Sequence, residues 1–171
     1  PYKPTAADVR AALDTIGEPI REFPFKDATH AAAWVAALLT VFARPAIKGP
    51  CPMFMIDKNV RGCGGSLLAD VIGLVAFGRS MARTPETDNE EEMRKRITSV
   101  VLAGDEAVLI DNVSKGIGGA ALDAVLTGTS WHDRVLGKSE TIEMDCFAIW
   151  FATGNNIQLN AGLLNKNLCN Q

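Results

Sequence analysis

Three short apolar runs alternate with helical patterns along this chain, and this alternation limits the possible folds more than any other feature. The runs are "MFMID", "AVLID" and "CFAIWFATGN". Strands that are buried on both faces read as continuous apolar runs, because helices cover a parallel sheet from both sides. We therefore predict an α/β fold with a parallel sheet and helices on both faces.

Helical patterns occupy the segments before and between these runs. "TAADVRAALDTIG" starts at the N-cap residue Thr5, and "DATHAAAWVAALLTVFAR" starts at Asp27 in the same role. "GSLLADVIGLVAFG", "NEEEMRKRITSVVLAG" and "GGAALDAVLTG" are predicted as further helices, and "WHDRVLGKSETIEM" as a β-hairpin that turns at Gly137-Lys138. Residues 1–44 are predicted to form a helical segment packed on a core of residues 45–171.

Composition and charge argue against several classes of protein. The chain has 171 residues and a net charge of −3, so any contact with nucleic acid would be local rather than a general basic attraction. No apolar run reaches the roughly 20 residues of a membrane span, and the start "PYKPTAADVR" does not resemble a signal peptide. The four cysteines show no CxxC spacing, which favours reduced thiols. We expect a cytoplasmic protein without a membrane partner.

Polar residues follow each apolar run at the point where a strand would end. They read "DKNVRGCGGS", "DNVS" and "TGNN". In open parallel sheets, ligands bind beyond the carboxyl ends of the strands. The sequence therefore predicts that these three segments meet at one edge of the sheet and form a binding site there.

The first segment has the layout of a phosphate-binding loop, which is a strand, a Gly-rich turn and a helix. Backbone amides from Cys63 to Leu67 would point at an anion, and Ser66 stands where such loops bind Mg²⁺ through a hydroxyl. In the pattern G-x-x-x-x-G-K-[ST], however, Asn59 replaces the first glycine and Gly65 replaces the lysine. A plain Gly-rich turn remains the alternative. The predicted nucleotide-binding residues are Gly62, Cys63, Gly64, Gly65, Ser66 and Leu67.

The second segment supplies a carboxylate. Asp111 follows the apolar run as in the Walker B pattern, whose aspartate holds Mg²⁺. Asn112 comes next, where many ATPases carry a glutamate, and an amide cannot accept the proton of the attacking water. Glu92, or its neighbour Glu91, is then the candidate base. The alternative for both is a solvated helix start.

The third segment, "TGNN", ends in two amide side chains. Asn155, with Asn156 as the second choice, is predicted to orient the attacking water and contact the γ-phosphate. A polar turn is the alternative, because Gly-Asn favours turns whatever the function.

In order and spacing, these segments resemble the AAA+-type P-loop ATPase module of phage and prophage primase-helicases, which are related to superfamily-three helicases. The likeness spans residues 45–159 and includes "LDAVLTGTSWHDRVLGKSETIEM", where Arg134 fits an Arg ahead of a return strand. The resemblance implies ATP and Mg²⁺ as cofactors and translocation on DNA by a homo-oligomeric ring in DNA replication. It implies Ser66 and Asp111 at the metal, and Asp111, Asn155 and Glu92 in catalysis.

Two departures from this family weaken the expected activity. Gly65 removes the ammonium that contacts the β- and γ-phosphates, and neither Lys58 nor Arg61 lies on the first turn of the helix. No arginine follows Arg134, where such modules place sensors of the γ-phosphate, so we expect a chain truncated at its C-terminus. We expect weak or no ATP hydrolysis.

Two alternatives to an active ATPase remain. The first is a non-catalytic domain that keeps the fold and serves assembly, or is a decayed remnant. The second is a Rossmann-type dinucleotide site on "GCGGS". The third glycine of that pattern would fall at Leu67, which argues against it.

Overall fold

The computed structural model describes residues 3–60, 62–134 and 141–159. Within these ranges an N-terminal pair of α-helices is followed by alternating strands and helices, and three consecutive strands come last. In chain order the elements are α1 (Ala6–Gly17), α2 (Ala28–Ala43), β1 (Phe54–Lys58), α3 (Gly65–Phe77), β2 (Ala82–Pro85), α4 (Glu90–Ala103), β3 (Ala107–Val113), α5 (Ala120–Thr127), β4 (Ser130–Arg134), β5 (Thr141–Asp145) and β6 (Ile149–Asn155).

Four of the strands form a parallel sheet in the order β1-β6-β3-β2, and β4 and β5 form a separate antiparallel pair. The last strand of the sheet in the sequence, β6, therefore lies between β1 and β3. All four strands run the same way, so their carboxyl ends share one edge. This arrangement confirms the predicted α/β fold with a parallel sheet flanked by helices.

The sheet has a hydrophobic core on each face. Successive side chains of a strand point to opposite faces. Val108 and Ile110 accordingly pack in a cluster with α4 and α5, whereas Leu109 and Phe151 pack in a second cluster with α2 and α3. Both faces are thus covered, which explains why β3 and β6 read as continuous apolar runs.

Strand β2 was not predicted. Its sequence, Ala-Arg-Thr-Pro, is short and contains no run of apolar residues, and it pairs only with β3 at the edge of the sheet. Proline is tolerated at such an edge because one side of the strand needs no ladder hydrogen bonds. The predicted hairpin is present as β4 and β5, and its Gly137-Lys138 turn lies outside the described residues.

The helix ends match the predicted caps. Thr5 forms a capping box with Asp8, and the Asp27 carboxylate accepts hydrogen bonds from two amides of the first turn of α2. Glycines in the left-handed conformation, Gly78 and Gly104, end α3 and α4. Among the described residues, no helix is both long enough and apolar enough to cross a membrane.

Buried contacts tie α2 and the residue after it to the rest of the core. Trp34 Nε1 on α2 donates a hydrogen bond to the Leu68 carbonyl of α3 at 3.0 Å. The buried Arg44 guanidinium, just after α2, donates to the carbonyls of Cys146 and Phe147 at 2.8 and 2.9 Å. Ile20 and the buried side chains of α2 therefore share a hydrophobic cluster with the core, and a domain boundary at residue 44 stays a prediction.

A buried aspartate fastens the β4–β5 pair to α4. The Asp133 carboxylate accepts hydrogen bonds from Arg94 Nε, at 2.9 Å, and from the Thr98 hydroxyl, which itself accepts one from Trp131 Nε1 at 2.9 Å. Burial alone raises the pKa of Asp133, but the bonds from Arg94 and Thr98 outweigh it and hold the pKa below its usual range. The ionised carboxylate is thus the form that the fold favours.

We expect Asp133→Ala to lower the free energy of unfolding by about 1–3 kcal/mol, because it leaves buried hydrogen-bonding groups without their acceptor. Urea denaturation measures this loss, and Asp14→Ala, at an exposed position on α1, should change it by less than about 0.5 kcal/mol. The folded pKa is the lower one, so the contribution of Asp133 is complete above the unfolded pKa and is lost as pH falls through the folded pKa. Equal stabilities of parent and variant at neutral pH would contradict this role.

Candidate functional site

The Gly-rich loop connects the end of β1 to the start of α3. Gly62 and Gly64 both have a φ of 82°, in the left-handed region that glycine adopts at little cost. The Leu68 amide makes an intrahelical bond to the Gly64 carbonyl at 2.8 Å, so the amides of residues 65–67 have no partner within the helix. A helix N-terminus with this geometry attracts anions.

The tips of three elements meet at Asp111. The Ser66 hydroxyl, on the first turn of α3, donates to Asp111 Oδ1 at 2.7 Å. The fully buried Thr153 hydroxyl, on β6, donates to the same oxygen at 2.5 Å. Two predicted residues, Ser66 and Asp111, are therefore in direct contact, although 45 positions separate them in the sequence.

A bulge in β3 orients Asp111. The register with β6 shifts between Ile110 and Val113, and Asn112 within the bulge has a φ of 64°. Asparagine tolerates this left-handed conformation better than most residues, and the backbone N–H of Asn112 donates to Thr153 Oγ1 at 3.3 Å. Since an extra residue in a strand redirects the side chains beside it, the bulge explains how Asp111 reaches both Ser66 and Thr153.

Arg83 connects the edge strand to this cluster. From β2, its Nη1 donates to Asp111 Oδ2 at 2.7 Å, and its other terminal nitrogen donates to Asp70 on α3. Both Asp111 oxygens are thus hydrogen-bonded. Burial alone raises the pKa of Asp111, but the bonds from Thr153 and Ser66, with the charges of Arg83 and Lys58, hold it below its usual range. Asp111 is ionised at neutral pH.

Asn155 lies at the end of β6 and faces a cleft. It is in register with Lys58 on β1, and the Lys58 carbonyl accepts a hydrogen bond from the Asn156 amide at 3.1 Å. Within the described residues, the buried Asn155 Oδ1 has no hydrogen-bond partner. The cleft measures about 530 Å³, within the roughly 300–1,000 Å³ of small-ligand sites. Its lining residues are Lys58, Gly62, Asn112, Val113, Ser114 and Asn155.

The other predicted residues differ in their surroundings. Glu92 lies in the first turn of α4, where its carboxylate pairs with Arg96 Nε at 3.0 Å. It does not line the cleft, and neither do Ser66 and Asp111. Asn156, the second choice for the water-orienting amide, is exposed and has a φ of 52°. Cys63 is half-buried and the Leu67 side chain is exposed. No group of three or more His, Cys, Asp or Glu side chains in the described ranges is placed to hold a metal ion.

Sequence reasoning missed Arg83 and Thr153 and set Lys58 aside. Arg83 was missed because its strand was not predicted. Thr153 stands in "FATGNN", two positions before Asn155, so that the period of a strand places both on one side. The third apolar run, "CFAIWFATGN", already contains both residues, so the same alternation could have identified Thr153.

The fold defines an α/β domain with a parallel sheet flanked by helices, which is compatible with the P-loop class. A solved structure with a similar fold is the apo A form of the NrS-1 C-terminal region, at 15% sequence identity and a TM-score of 0.53. The similarity covers 94% of this chain and 38% of that chain, so this chain spans well under half its length. Neither a protein-family model nor a curated protein matches the sequence. At this identity the likeness concerns the fold alone.

Gly154 allows β6 to approach the bulge of β3 closely. A Cβ at this position would lie 2.4 Å from the Val113 carbonyl oxygen and 2.7 Å from Ile157 Cγ1. We therefore expect Gly154→Ala to separate the two strands and lower the free energy of unfolding by about 1–3 kcal/mol. In urea denaturation the control Gly17→Ala should be neutral or stabilising, since nothing lies within 4 Å of its added Cβ. An unchanged midpoint for Gly154→Ala would show that the strands are not closely packed there.

Proposed function

We propose that this chain is a P-loop ATPase-like domain of the AAA+ kind that binds ATP with Mg²⁺ at the edge of the sheet. The contact between Ser66 Oγ and Asp111 Oδ1 carries the proposal, because these two groups hold Mg²⁺ in P-loop sites. The amides of residues 65–67 would hold the phosphates. Asn155, at the end of the neighbouring strand, completes the set of groups around them.

The two oxygens fit a magnesium site. Ser66 Oγ and Asp111 Oδ1 are 2.7 Å apart. Neighbouring ligands in an octahedral Mg²⁺ site, at bonds of about 2.0–2.1 Å, are separated by roughly 2.9 Å. Magnesium typically keeps several waters and uses one or two carboxylates with the substrate phosphates, which agrees with a single aspartate here. Bound there, the ion would neutralise charge on the phosphates.

We expect hydrolysis to be slow. Asn155 is suited to orient the attacking water, because its buried Oδ1 has no partner among the described residues. This oxygen is therefore free to accept a hydrogen bond from the water. The proton still needs a base. Asn112 cannot serve, and Glu92, the candidate, would first have to leave Arg96.

A role in replication on DNA, as a homo-oligomeric ring in a phage or mobile-element protein, rests on the sequence resemblance. The basic residues of α4 offer little to DNA, since Lys95 and Arg96 pair with Glu91 and Glu92 at 2.7 and 3.0 Å. Arg134 is exposed at the end of β4. It is the basic residue that we propose for contact with DNA or with a neighbouring subunit.

One observation favours the rival function, a non-catalytic domain with an assembly role or a decayed remnant. Both oxygens of Asp111 are already occupied by partners from the chain itself, with Ser66 and Thr153 on one oxygen and Arg83 on the other. A site that is satisfied internally needs no ligand to be stable. Nucleotide binding by the unmodified chain therefore separates the two functions.

We expect the chain to bind ATP at millimolar or lower concentration in calorimetry, and more tightly with Mg²⁺ than with EDTA. Ser66→Ala should remove most of the gain from Mg²⁺, about tenfold in affinity, because it deletes a metal ligand. Ser99→Ala, at an exposed position on α4, is the matched control and should bind as the parent does.

The rival would be supported if ATP failed to bind with Mg²⁺ at millimolar concentration. Release of phosphate that Ser66→Ala abolishes would exclude the rival. An equal effect of Mg²⁺ on the parent and on Ser66→Ala would show that the metal lies elsewhere.

A further inference from the structure

Lys58 lies across the position where the loop pattern would carry its lysine. A Cβ on Gly65 would lie 2.5 Å from Lys58 Cδ, 3.1 Å from its Cε and 3.2 Å from its Cγ. The methylene stem of Lys58 therefore packs against the bare backbone of Gly65. Gly65 is buried in the first turn of α3, outside the left-handed region, so its backbone conformation does not require glycine. The close approach of Lys58 explains the glycine.

The charge of Lys58 acts at the site. Lys58 lines the cleft together with Asn155 and Gly62, and its charge is one of those that lower the pKa of Asp111. Among the described residues no carboxylate lies within ion-pair distance, 4.0 Å, of the ammonium. Arg83, by contrast, is paired with two carboxylates. Lys58 is thus a cation at the site that an incoming anion can still engage.

The backbone fixes the origin of this side chain. Lys58 is the last residue of β1, in register with Asn155 on β6, and its carbonyl accepts the Asn156 amide at 3.1 Å. Just before it, the Asp57 carboxylate accepts the Ile157 amide at 2.9 Å. These contacts hold the end of β1 against the turn after β6, beside the amides of α3.

We propose that Lys58 supplies the phosphate-binding ammonium that position 65 lacks. Gly65, which has no side chain, leaves the space that the methylene stem of Lys58 occupies. The inference rests on the proposed function and names its ligand more closely, as the di- or triphosphate group of a nucleotide. Lysine acts on phosphate as a point charge on a flexible stem, so its ammonium can reach the same phosphates from the strand as from the helix. The motif therefore departs from the P-loop pattern in sequence but keeps its charge in space.

The test compares ATP and inorganic tripolyphosphate, both with Mg²⁺, by calorimetry on the full chain. Lys58→Met keeps the stem and removes the charge, and we expect it to weaken both ligands by about tenfold to a hundredfold. Lys58→Arg should retain most of the affinity. Lys48→Met, at an exposed position in the connector before β1, is the matched control and should bind as the parent does.

A second variant tests whether Lys58 needs the space over Gly65. Gly65→Ala leaves Lys58 in the sequence but places a methyl group where its stem lies, so it should weaken ATP as well. Alanine favours a helix more than glycine does, so stability in urea should not fall with the affinity. If both changes act through one ammonium, Lys58→Met with Gly65→Ala should bind no more weakly than Lys58→Met alone.

The outcomes separate the two proposals. Binding of ATP by the parent with equal affinity in Lys58→Met would overturn the role of Lys58 and leave the nucleotide site standing. If the losses of affinity for ATP were additive in the double variant, Gly65 would not act through the side chain of Lys58. Failure of the parent to bind either ligand at millimolar concentration would overturn the proposed function, and this inference with it.

Discussion

The insertion of β6 between β1 and β3 is the constraint on which the candidate site depends. Because β6 pairs with both neighbours in parallel, its end stands between the Gly-rich loop and Asp111. Thr153 can then bond to Asp111 on one side, while Asn155 stands in register with Lys58 on the other. Gly154 makes this possible, since a side chain there would collide with the backbone of β3. The last strand in the sequence thus joins groups that come from the first and third strands of the sheet.

Most of the fold could be predicted because it follows from local chemistry. Capping side chains and C-terminal glycines mark the helices, and continuous apolar runs mark β3 and β6, which are covered on both faces. β2 carries neither signal, since it is an edge strand of four residues with an arginine and a proline. Gly154 was placed at the end of the third apolar run, with a polar turn as the alternative, and its role was not predicted. A glycine is required at position 154 by the close approach of β3, and the neighbouring residues in the sequence give no sign of that contact.

The site was predictable to the extent that its groups stand at strand ends. Asp111 stands near the end of β3 and Ser66 on the first turn of the helix that follows β1, and they meet. The role of Arg83 could not be predicted, because its partners lie on α3 and β3 and nothing near it in the sequence identifies them. Lys58 shows a different difficulty. Pattern matching compares sequence positions, whereas a phosphate responds to where the charge lies, and a side chain of four methylenes can begin on a strand and end over a neighbouring helix.

The hydrogen bonds that Asp111 already makes within the chain reduce what a metal ion gains by binding there. Its carboxylate is held by two hydroxyls and a guanidinium, so its burial is compensated before any ligand arrives. A metal ion at Ser66 and Asp111 would exchange these partners for new ones, and the net gain of such an exchange is smaller than the strength of the new contacts alone. Lys58 differs because no carboxylate of the described chain pairs with it at ion-pair distance. A phosphate that reaches Lys58 loses water but displaces no carboxylate of the described residues, so more of that contact remains as binding energy. The affinity for nucleotide should therefore depend on the lysine at the end of β1 more than on the metal ligands.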